Sequence, residues 1–250
     1  MRMQELEQAA EFIRKRDDFL VVSHVQPDGD AISSTAAAGW LLDKLGKSYV
    51  MINDGPIPSR LHVLQKASEI VIAGEDSPKR KFRHIIAVDC ADASRMGKAA
   101  QWFEPEYELL NIDHHPTNDR FGQVNLLRFD AAATAEILYQ LIEHMGLPLD
   151  QEIATALYTG IMTDTGGFRY SSTTPQVLEI AARLMATGAP GPVLAERLLE
   201  RMTLGQMRLL QRGLSRLTFS EDHRICWLWV TSEDVEESGA ANEDLEGLVN

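Results

Sequence analysis

Short apolar runs bounded by charged or turn-forming residues recur through the first half of the chain. The runs at residues 19–23 and 49–53 are rich in β-branched and aromatic residues, which is typical of buried strands. The same pattern predicts four further strands, at residues 69–73, 84–88, 107–112 and 123–127. The first half of the chain is therefore predicted to supply the strands of a sheet.

Apolar residues at helical spacing mark segments on both sides of these strands. Residues 6–16 are predicted to form a helix that leads into the first strand. A second helix is predicted to begin at an acidic cap, Asp30, and to end at Gly46. Five more helices are predicted later in the chain, at residues 131–144, 151–163, 176–187, 192–201 and 204–217. Strands that alternate with helices predict an α/β fold, here a parallel sheet with a helical C-terminal part.

The last 30 or so residues have a different character. Residues 224–230 predict one further strand, and a helix in an acidic context follows it. One strand and one helix cannot bury a core by themselves, so this segment is predicted to be the start of an incomplete second α/β domain. The expected division is a main domain at 1–190, connecting helices at 191–220 and the beginning of a second domain at 221–250.

Charge restricts the kinds of partner. The chain has 250 residues and a formal net charge of −13. Long duplex nucleic acid is bound through a basic surface that displaces counterions, so the acidic balance argues against such a partner. A short, highly charged ligand that is held through metal ions remains compatible with this charge.

Cysteine usage and the N-terminus indicate a compartment. Cys90 and Cys226 are the only cysteines and have no metal-type spacing, so a disulfide framework is not expected. The first residues are charged and lack the apolar segment of a signal peptide, and no apolar run has the length of a membrane span. A cytoplasmic protein without a membrane partner is therefore expected.

Acidic and imidazole side chains recur where the predicted strands and helices end. They are His24, Asp28 and Asp30 after the first strand, Asp89 after the strand at 84–88, Asp113, His114 and His115 after the strand at 107–112, and Asp164 after the helix at 151–163. In an open parallel sheet, ligands bind outside the carboxyl ends of the strands, so these groups are expected to share one crevice. Clustered carboxylates repel one another unless cations compensate, and divalent metals are the natural compensation.

The ligand chemistry favours particular metals. Carboxylates with imidazole and without thiolate suit manganese, magnesium or iron better than structural zinc. Mn²⁺ is the favoured ion, with Mg²⁺ or Co²⁺ as alternatives. Six ligands are too many for one ion with open positions but suffice for two ions that share Asp89 as a bridge. The six are His24, Asp28, Asp30, Asp89, His114 and Asp164. Two ions about 3.5–4 Å apart can clamp the attacking and leaving oxygens of a phosphoryl displacement.

Three further side chains are candidates for a role beside the metals. Asp113 is predicted to orient its neighbours, and His115 to meet a substrate phosphate or supply a proton to the leaving oxygen. Arg169 is predicted to hold a phosphate, with a surface salt bridge as the alternative. Each fragment alone also has an ordinary explanation as a turn, a cap or a solvated end. One shared site is the favoured explanation, because otherwise four unrelated polar motifs would all have to lie at the ends of strands or helices by chance.

In combination these motifs resemble the DHH phosphoesterase family, and within it the DHH-DHHA1 oligoribonucleases that also dephosphorylate 3′-phosphoadenosine 5′-phosphate. The motifs comprise residues 24–31, Asp89, residues 113–115 and residues 163–169. The resemblance implies that one manganese ion is held by His24, Asp28 and Asp89, and the other by Asp30, Asp89, His114 and Asp164. It further implies that His115 and Arg169 lie near the scissile phosphate.

The resemblance also implies an arrangement of domains. A DHH catalytic domain is expected at 1–190, and the beginning of a truncated DHHA1 substrate-binding domain at 221–250. One departure from the family pattern is Ser33, which stands where glycine is frequent. Because serine suits the start of a helix, little effect is expected from it.

These expectations lead to one favoured function and three alternatives. The favoured function is a manganese-dependent hydrolase of very short RNA and of 3′-phosphoadenosine 5′-phosphate. The alternatives are a manganese-dependent inorganic pyrophosphatase, a cyclic-dinucleotide phosphodiesterase, and an inactive metal-binding remnant that lacks its substrate domain. Assembly as a homodimer is left open.

Overall fold

The main sheet is built from six short apolar segments of the chain. In the computed structural model, which describes residues 2–74 and 77–245, they are β1 (Phe19–Val22), β2 (Tyr49–Asn53), β3 (Val71–Ile72), β4 (Phe82–Val88), β5 (Phe103–Asp113) and β6 (Val124–Leu127). Each lies within or overlaps a predicted strand. The prediction at 69–73 was too long, because residues Gln65–Glu69 form a 3₁₀ turn and leave only two residues for β3.

All neighbouring strands in this sheet run parallel, in the order β3-β2-β1-β4-β5-β6. From β1 the chain first builds outward to β2 and β3, and then returns to place β4 on the other side of β1. The strand order therefore reverses between β1 and β4. A crevice opens at the carboxyl ends of the strands at such a reversal, and this is where open α/β sheets bind ligands.

Six α-helices lie among the described residues of the first 200, in the segments where helices were predicted. They are α1 (Arg2–Lys15), α2 (Gly29–Lys44), α3 (Thr134–His144), α4 (Gln151–Asp164), α5 (Pro175–Thr187) and α6 (Gly191–Ala195), the last followed by a π-helical turn at Glu196–Glu200. The predicted cap of α2 was wrong. The N-cap is Asp28, whose side chain accepts from the Ala31 amide, and Asp30 already lies in the first turn. The α/β class with a helical part after the sheet is confirmed.

Both faces of the sheet are covered, as the buried strands require. In β1, Phe19 and Val21 pack into the core shared with the helices, whereas Leu20 and Val22 face a smaller core on the other side. This alternation follows from the two-residue period of a strand. The smaller core is closed by a 3₁₀ segment at Ala93–Trp102, which the sequence pattern did not reveal.

The described residues fall into two compact units, one up to Leu199 and the other from Glu200 onward. The second unit contains α7 (Leu204–Ser215), a two-stranded antiparallel ladder of β7 (Thr218–Phe219) and β8 (Cys226–Trp227), and α8 (Ser232–Ser238). The strand predicted at 224–230 is thus only two residues long, and β7 was not predicted. The functional division at 190 and 220 stays a prediction. None of the helices in the described part of the chain has the length and apolar character needed to cross a membrane.

Candidate metal centre

Side chains from five places in the first unit converge where the strand order reverses. His24 and Asp28 lie in the loop after β1, and Asp89 directly follows β4. His114 and His115 follow the end of β5, Asp164 is the last residue of α4, and Asp30 is in the first turn of α2. The structure therefore brings together all six residues that were proposed as metal ligands, which is the arrangement that parallel strand ends predict.

The two carboxylate oxygens of Asp89 face different histidines. Oδ2 lies 3.5 Å from Nε2 of His24, and Oδ1 lies 3.7 Å from Nε2 of His114. The Asp89 side chain is 2% exposed, so it is held between these two histidines away from bulk solvent. A carboxylate with its oxygens divided in this way could contact two cations, one beside each histidine.

The ligand atoms form two overlapping groups around this carboxylate. His24, Asp28 and Asp89 offer one set of atoms that lie within 4.8 Å of one another. A second set within the same limit comes from Asp30, His114 and Asp164, where His114 Nε2 is 3.3 Å from Asp164 Oδ2. A further set joins Asp89 with His114 and His115, so His115 also lies at the centre's edge.

Hydrogen bonds orient the two central imidazoles. His24 donates from Nδ1 to its neighbour's carbonyl, Val25 O, at 2.8 Å. His114 donates from Nδ1 to Ala131 O at 3.4 Å. Both rings therefore turn Nε2 toward the carboxylates, and a carbonyl behind a histidine is the usual device that fixes the tautomer of a metal ligand.

The charges of the cluster are strongly unbalanced in the absence of a cation. Burial, and then the charges of Asp89 and Asp28, raise the pKa of Asp164 to about 8. Burial and the neighbouring carboxylates also raise the pKa of Asp30 well above its ordinary value. Burial acts to lower the pKa of His24, but hydrogen bonds to Asp28 and Asp89 outweigh it and raise the pKa to about 10. The cluster retains protons that divalent cations would displace, so the donor set fits such ions.

The Asp113 carboxylate orients His115, and Asn118 in turn orients Asp113. Its Nδ1 donates to Asp113 Oδ1 at 2.7 Å, and this hydrogen bond raises the pKa of His115. The other oxygen of Asp113 accepts from Asn118 Nδ2, also at 2.7 Å. Burial raises the pKa of Asp113, but the bonds from His115 and Asn118 outweigh it and the pKa is lowered. Asp113 is fully buried and faces His115.

Arg169 lies at the end of a left-handed turn after α4. Gly166, Gly167 and Phe168 have φ values of 57°, 71° and 65°, a conformation that a non-glycine residue such as Phe168 rarely adopts. Arg169 is exposed, and its Nε donates to Gly166 O at 2.5 Å. Within residues 2–74 and 77–245 it forms no ion pair, so the alternative of a surface salt bridge gains no support.

Three of the six non-glycine residues with a positive φ in the described part of the chain lie at or beside the centre. Asp89 has a φ of 58° and Gln26, in the loop after β1, has a φ of 52°. Together with Phe168, they place an unusual backbone conformation after β1, after β4 and after α4. Such conformations persist where the surrounding structure demands them, most often at functional sites.

Two residues that act on the cluster were not found from the sequence. Asn118 holds Asp113, as described above, and Thr134 donates its hydroxyl to Asp89 Oδ1 at 2.9 Å. An asparagine in a turn and a threonine at a helix start have ordinary local explanations, so only their position in space reveals these contacts.

Comparison with known proteins gives consistent matches. Residues 18–161 match the model of the DHH family, N-terminal domain. A Thermus thermophilus protein named bifunctional oligoribonuclease and PAP phosphatase NrnA is 37% identical over 232 residues, covering 92% of this chain and 67% of the relative. A Bacillus subtilis protein of the same name is 29% identical over 174 residues, covering 68% of this chain and 53% of the relative.

The solved structures agree with this picture at the level of the fold. An exopolyphosphatase-related protein from Bacteroides fragilis superposes with a TM-score of 0.89 at 24% identity, covering 99% of this chain and 75% of that chain. The chain thus spans about two thirds of the Thermus relative's length and about half of the Bacillus relative's.

Proposed function

This chain belongs to the DHH family, and on that premise we propose that it is a two-metal phosphoesterase that hydrolyses very short RNA and 3′-phosphoadenosine 5′-phosphate. The observation that carries the proposal is the divided carboxylate of Asp89, whose two oxygens face His24 and His114. The names of the Thermus and Bacillus relatives support the choice of substrates.

We propose that six residues hold the two ions, namely His24, Asp28 and Asp89 for one and Asp30, Asp89, His114 and Asp164 for the other. Bound divalent cations supply positive charge for the phosphate oxygens and make water a stronger nucleophile near neutral pH. Mn²⁺ is the proposed ion, because it accepts both the carboxylate oxygens and the imidazole nitrogens of this donor set.

The residues beside the metals are proposed to act directly on substrate. Asp113 fixes Nδ1 of His115, which leaves Nε2 for an oxygen of the scissile phosphate. The hydrogen bond to Asp113 raises the pKa of His115, and in its protonated form the same atom is proposed to supply a proton to the leaving oxygen. Arg169 is proposed to bind a phosphate with its exposed guanidinium.

The net charge of −13 supports a small substrate. An acidic protein does not gain affinity from the release of counterions along a long phosphate backbone. A dinucleotide or a nucleotide with two phosphates instead brings a few charges, which the metals and one arginine can match. A cytoplasmic location is also proposed, because Cys90 and Cys226 are both free thiols.

The test compares three substrates with one preparation. The protein is freed of metal with a chelator, reloaded with Mn²⁺, Mg²⁺ or Co²⁺, and offered a ribodinucleotide, 3′-phosphoadenosine 5′-phosphate and pyrophosphate separately. The proposal expects release of mononucleotide and AMP, fastest with Mn²⁺. Hydrolysis of pyrophosphate alone would overturn the choice of substrate. Binding of Mn²⁺ without turnover of any of the three would favour a metal-binding remnant.

A further inference from the structure

The first turn of α3 and the residues just before it contact three of the proposed ligands without contributing a ligand themselves. Ala131 O accepts from His114 Nδ1, and Thr134 Oγ1 donates to Asp89 Oδ1 at 2.9 Å. The amides of Thr134 and Ala135 donate to Asp30, to Oδ2 at 2.6 Å and to Oδ1 at 3.0 Å respectively. A segment of the chain that carries no proposed metal ligand thus fixes ligands from β4, β5 and α2.

α3 makes these contacts because it begins without a side-chain cap of its own. Its N-cap residue, Ala133, offers no side-chain acceptor, so the first amides of the helix need a partner from elsewhere. The Asp30 carboxylate supplies it from α2, and the positive end of the helix dipole favours a negative charge there. Thr134 is the first residue of the helix, and its side chain lies opposite Asp89.

The hydroxyl of Thr134 behaves unlike those of threonines inside the helices. Thr35, Thr159 and Thr163 each donate to the carbonyl four residues earlier, which is the ordinary helical arrangement. Thr134 donates instead to a carboxylate 45 residues away in the chain. Both side chains are buried, so this bond forms out of contact with bulk water.

We propose that Thr134 is a positioning residue for Asp89. Rotation about the last torsion of an aspartate is soft, so the direction of its two oxygens is set by what binds them. The Thr134 hydroxyl holds Oδ1, the oxygen that faces His114, and thereby keeps Oδ2 toward His24. This inference rests on the proposed function, since the two oxygens matter separately only if Asp89 bridges two ions.

The test measures metal binding rather than turnover. Thr134→Val removes the hydroxyl at nearly constant volume, and Thr134→Ser restores it. Thr159→Val is the matched control, because Thr159 is also fully buried but donates to a helix carbonyl. Binding of Mn²⁺ to each metal-free protein is followed by calorimetry, and spin coupling between the two ions by electron paramagnetic resonance. Urea midpoints report folding.

The expected result is a loss in Thr134→Val of about 10- to 100-fold in affinity for at least one Mn²⁺, as is usual for the partner of a metal ligand. Thr134→Ser should restore most of the affinity and the coupled spectrum, and Thr159→Val should bind like the wild type. Thr134→Ala repeats the test if the valine fails to fold. Two ions bound by the hydroxyl-free variants with wild-type affinity and coupling would overturn the inference. A wild type that binds no divalent ion would instead overturn the proposed function.

Discussion

Gly160 of α4 lies directly against Asp30 of α2. A methyl group on residue 160 would lie 2.6 Å from Asp30 Oδ1 and 2.6 Å from the Cβ atom of Ala135. About one turn further along α4, the Thr163 side chain would collide with a methyl group on Gly29 of α2. α2 and α4 therefore pack so closely that only glycine fits at these two positions. This close packing occurs where the two helices bring Asp30 and Asp164 to the cluster.

Replacing Gly160 with alanine should both destabilise the fold and disturb the centre. The added methyl has no free volume, so we expect a loss of about 1–3 kcal/mol in the free energy of unfolding. Asp30 must also shift, which should weaken Mn²⁺ binding. Urea denaturation and calorimetry measure the two effects. Gly74→Ala is the control, because the nearest atom to its added methyl lies 4.0 Å away. Equal stability of both variants would contradict the close contact.

Asp89→Asn should remove the proposed bridge without altering the size of the side chain. Asparagine also tolerates the left-handed backbone at this position, so the fold should survive. We expect loss of the coupled metal pair and a fall in turnover beyond the roughly 10- to 100-fold that is typical of residues behind a ligand. Asp92→Asn, in the exposed turn that follows, is the control. Near-normal turnover in Asp89→Asn would refute the assignment of two metals.

Arg169→Ala should weaken substrate binding while two metal ions remain bound. Its guanidinium is exposed and forms no ion pair in the described part of the chain, so its removal should cost little stability. We expect a higher KM for nucleotide substrates and an unchanged Mn²⁺ isotherm. Arg183→Ala, which removes an exposed arginine paired with Glu143, serves as the control. Loss of metal from Arg169→Ala would show that its role is structural.

Asn118→Asp should affect His115 through Asp113. The substitution removes the amide donor, places a second carboxylate beside Asp113, and retains an oxygen for the Arg120 amide. We expect turnover to fall by about 10- to 100-fold, with substrate KM little changed. The kinetic constants and the Mn²⁺ isotherm are measured together. If KM rises and turnover is unchanged, Asp113 and His115 do not work as a pair.

Stability of the metal-free protein should fall as pH rises from about 6.5 to 10. His24 has its pKa raised from 6.5 to about 10, so its stabilising contribution is complete below pH 6.5 and is lost as pH rises to 10. Asp164, raised from 3.8 to about 8, has the same sign because the folded state holds its proton longer, and its effect extends over the lower range from about pH 3.8 to 8. The lowered pKa values of Asp28 and Asp113 change the stability only at pH values below about 3.8, the ordinary pKa of an aspartate.

Metal binding should release these protons. Mn²⁺ affinity should therefore rise over the same pH range, and the heat of binding at pH 7 should depend on the ionisation enthalpy of the buffer. Melting temperatures in chelator at pH 7, 8 and 9 test the first effect, and calorimetry in two buffers tests the second. Asp164→Asn should lower the number of protons released. A proton count of zero would contradict the raised pKa values.

Much of the fold, and the convergence of the candidate site residues, could be predicted from the sequence. The ends of β1, β4 and β5 could be placed because apolar runs stop abruptly before His24, Asp89 and Asp113. The crevice then follows from the rule for parallel sheets. That inference requires only that the strands share a direction, which βαβ units impose.

Other features depend on packing that a local pattern does not encode. Asp28 and Asp30 are both acidic and two residues apart, and only the docking of α2 decides that Asp28 is the cap. The 3₁₀ segment at Ala93–Trp102 is broken by Gly97, whose φ of 55° and ψ of −134° are open only to glycine. The contact between Thr134 and Asp89 spans 45 residues of the chain.

The dependence of α3 on Asp30 has a consequence for the order of folding. The helix has no acceptor of its own at its start, so its first turn gains its cap only after α2 has docked. The amide protons of Thr134 and Ala135 should therefore exchange with solvent slowly only in molecules whose two helices have met. Those two amides report, residue by residue, whether the centre has been assembled.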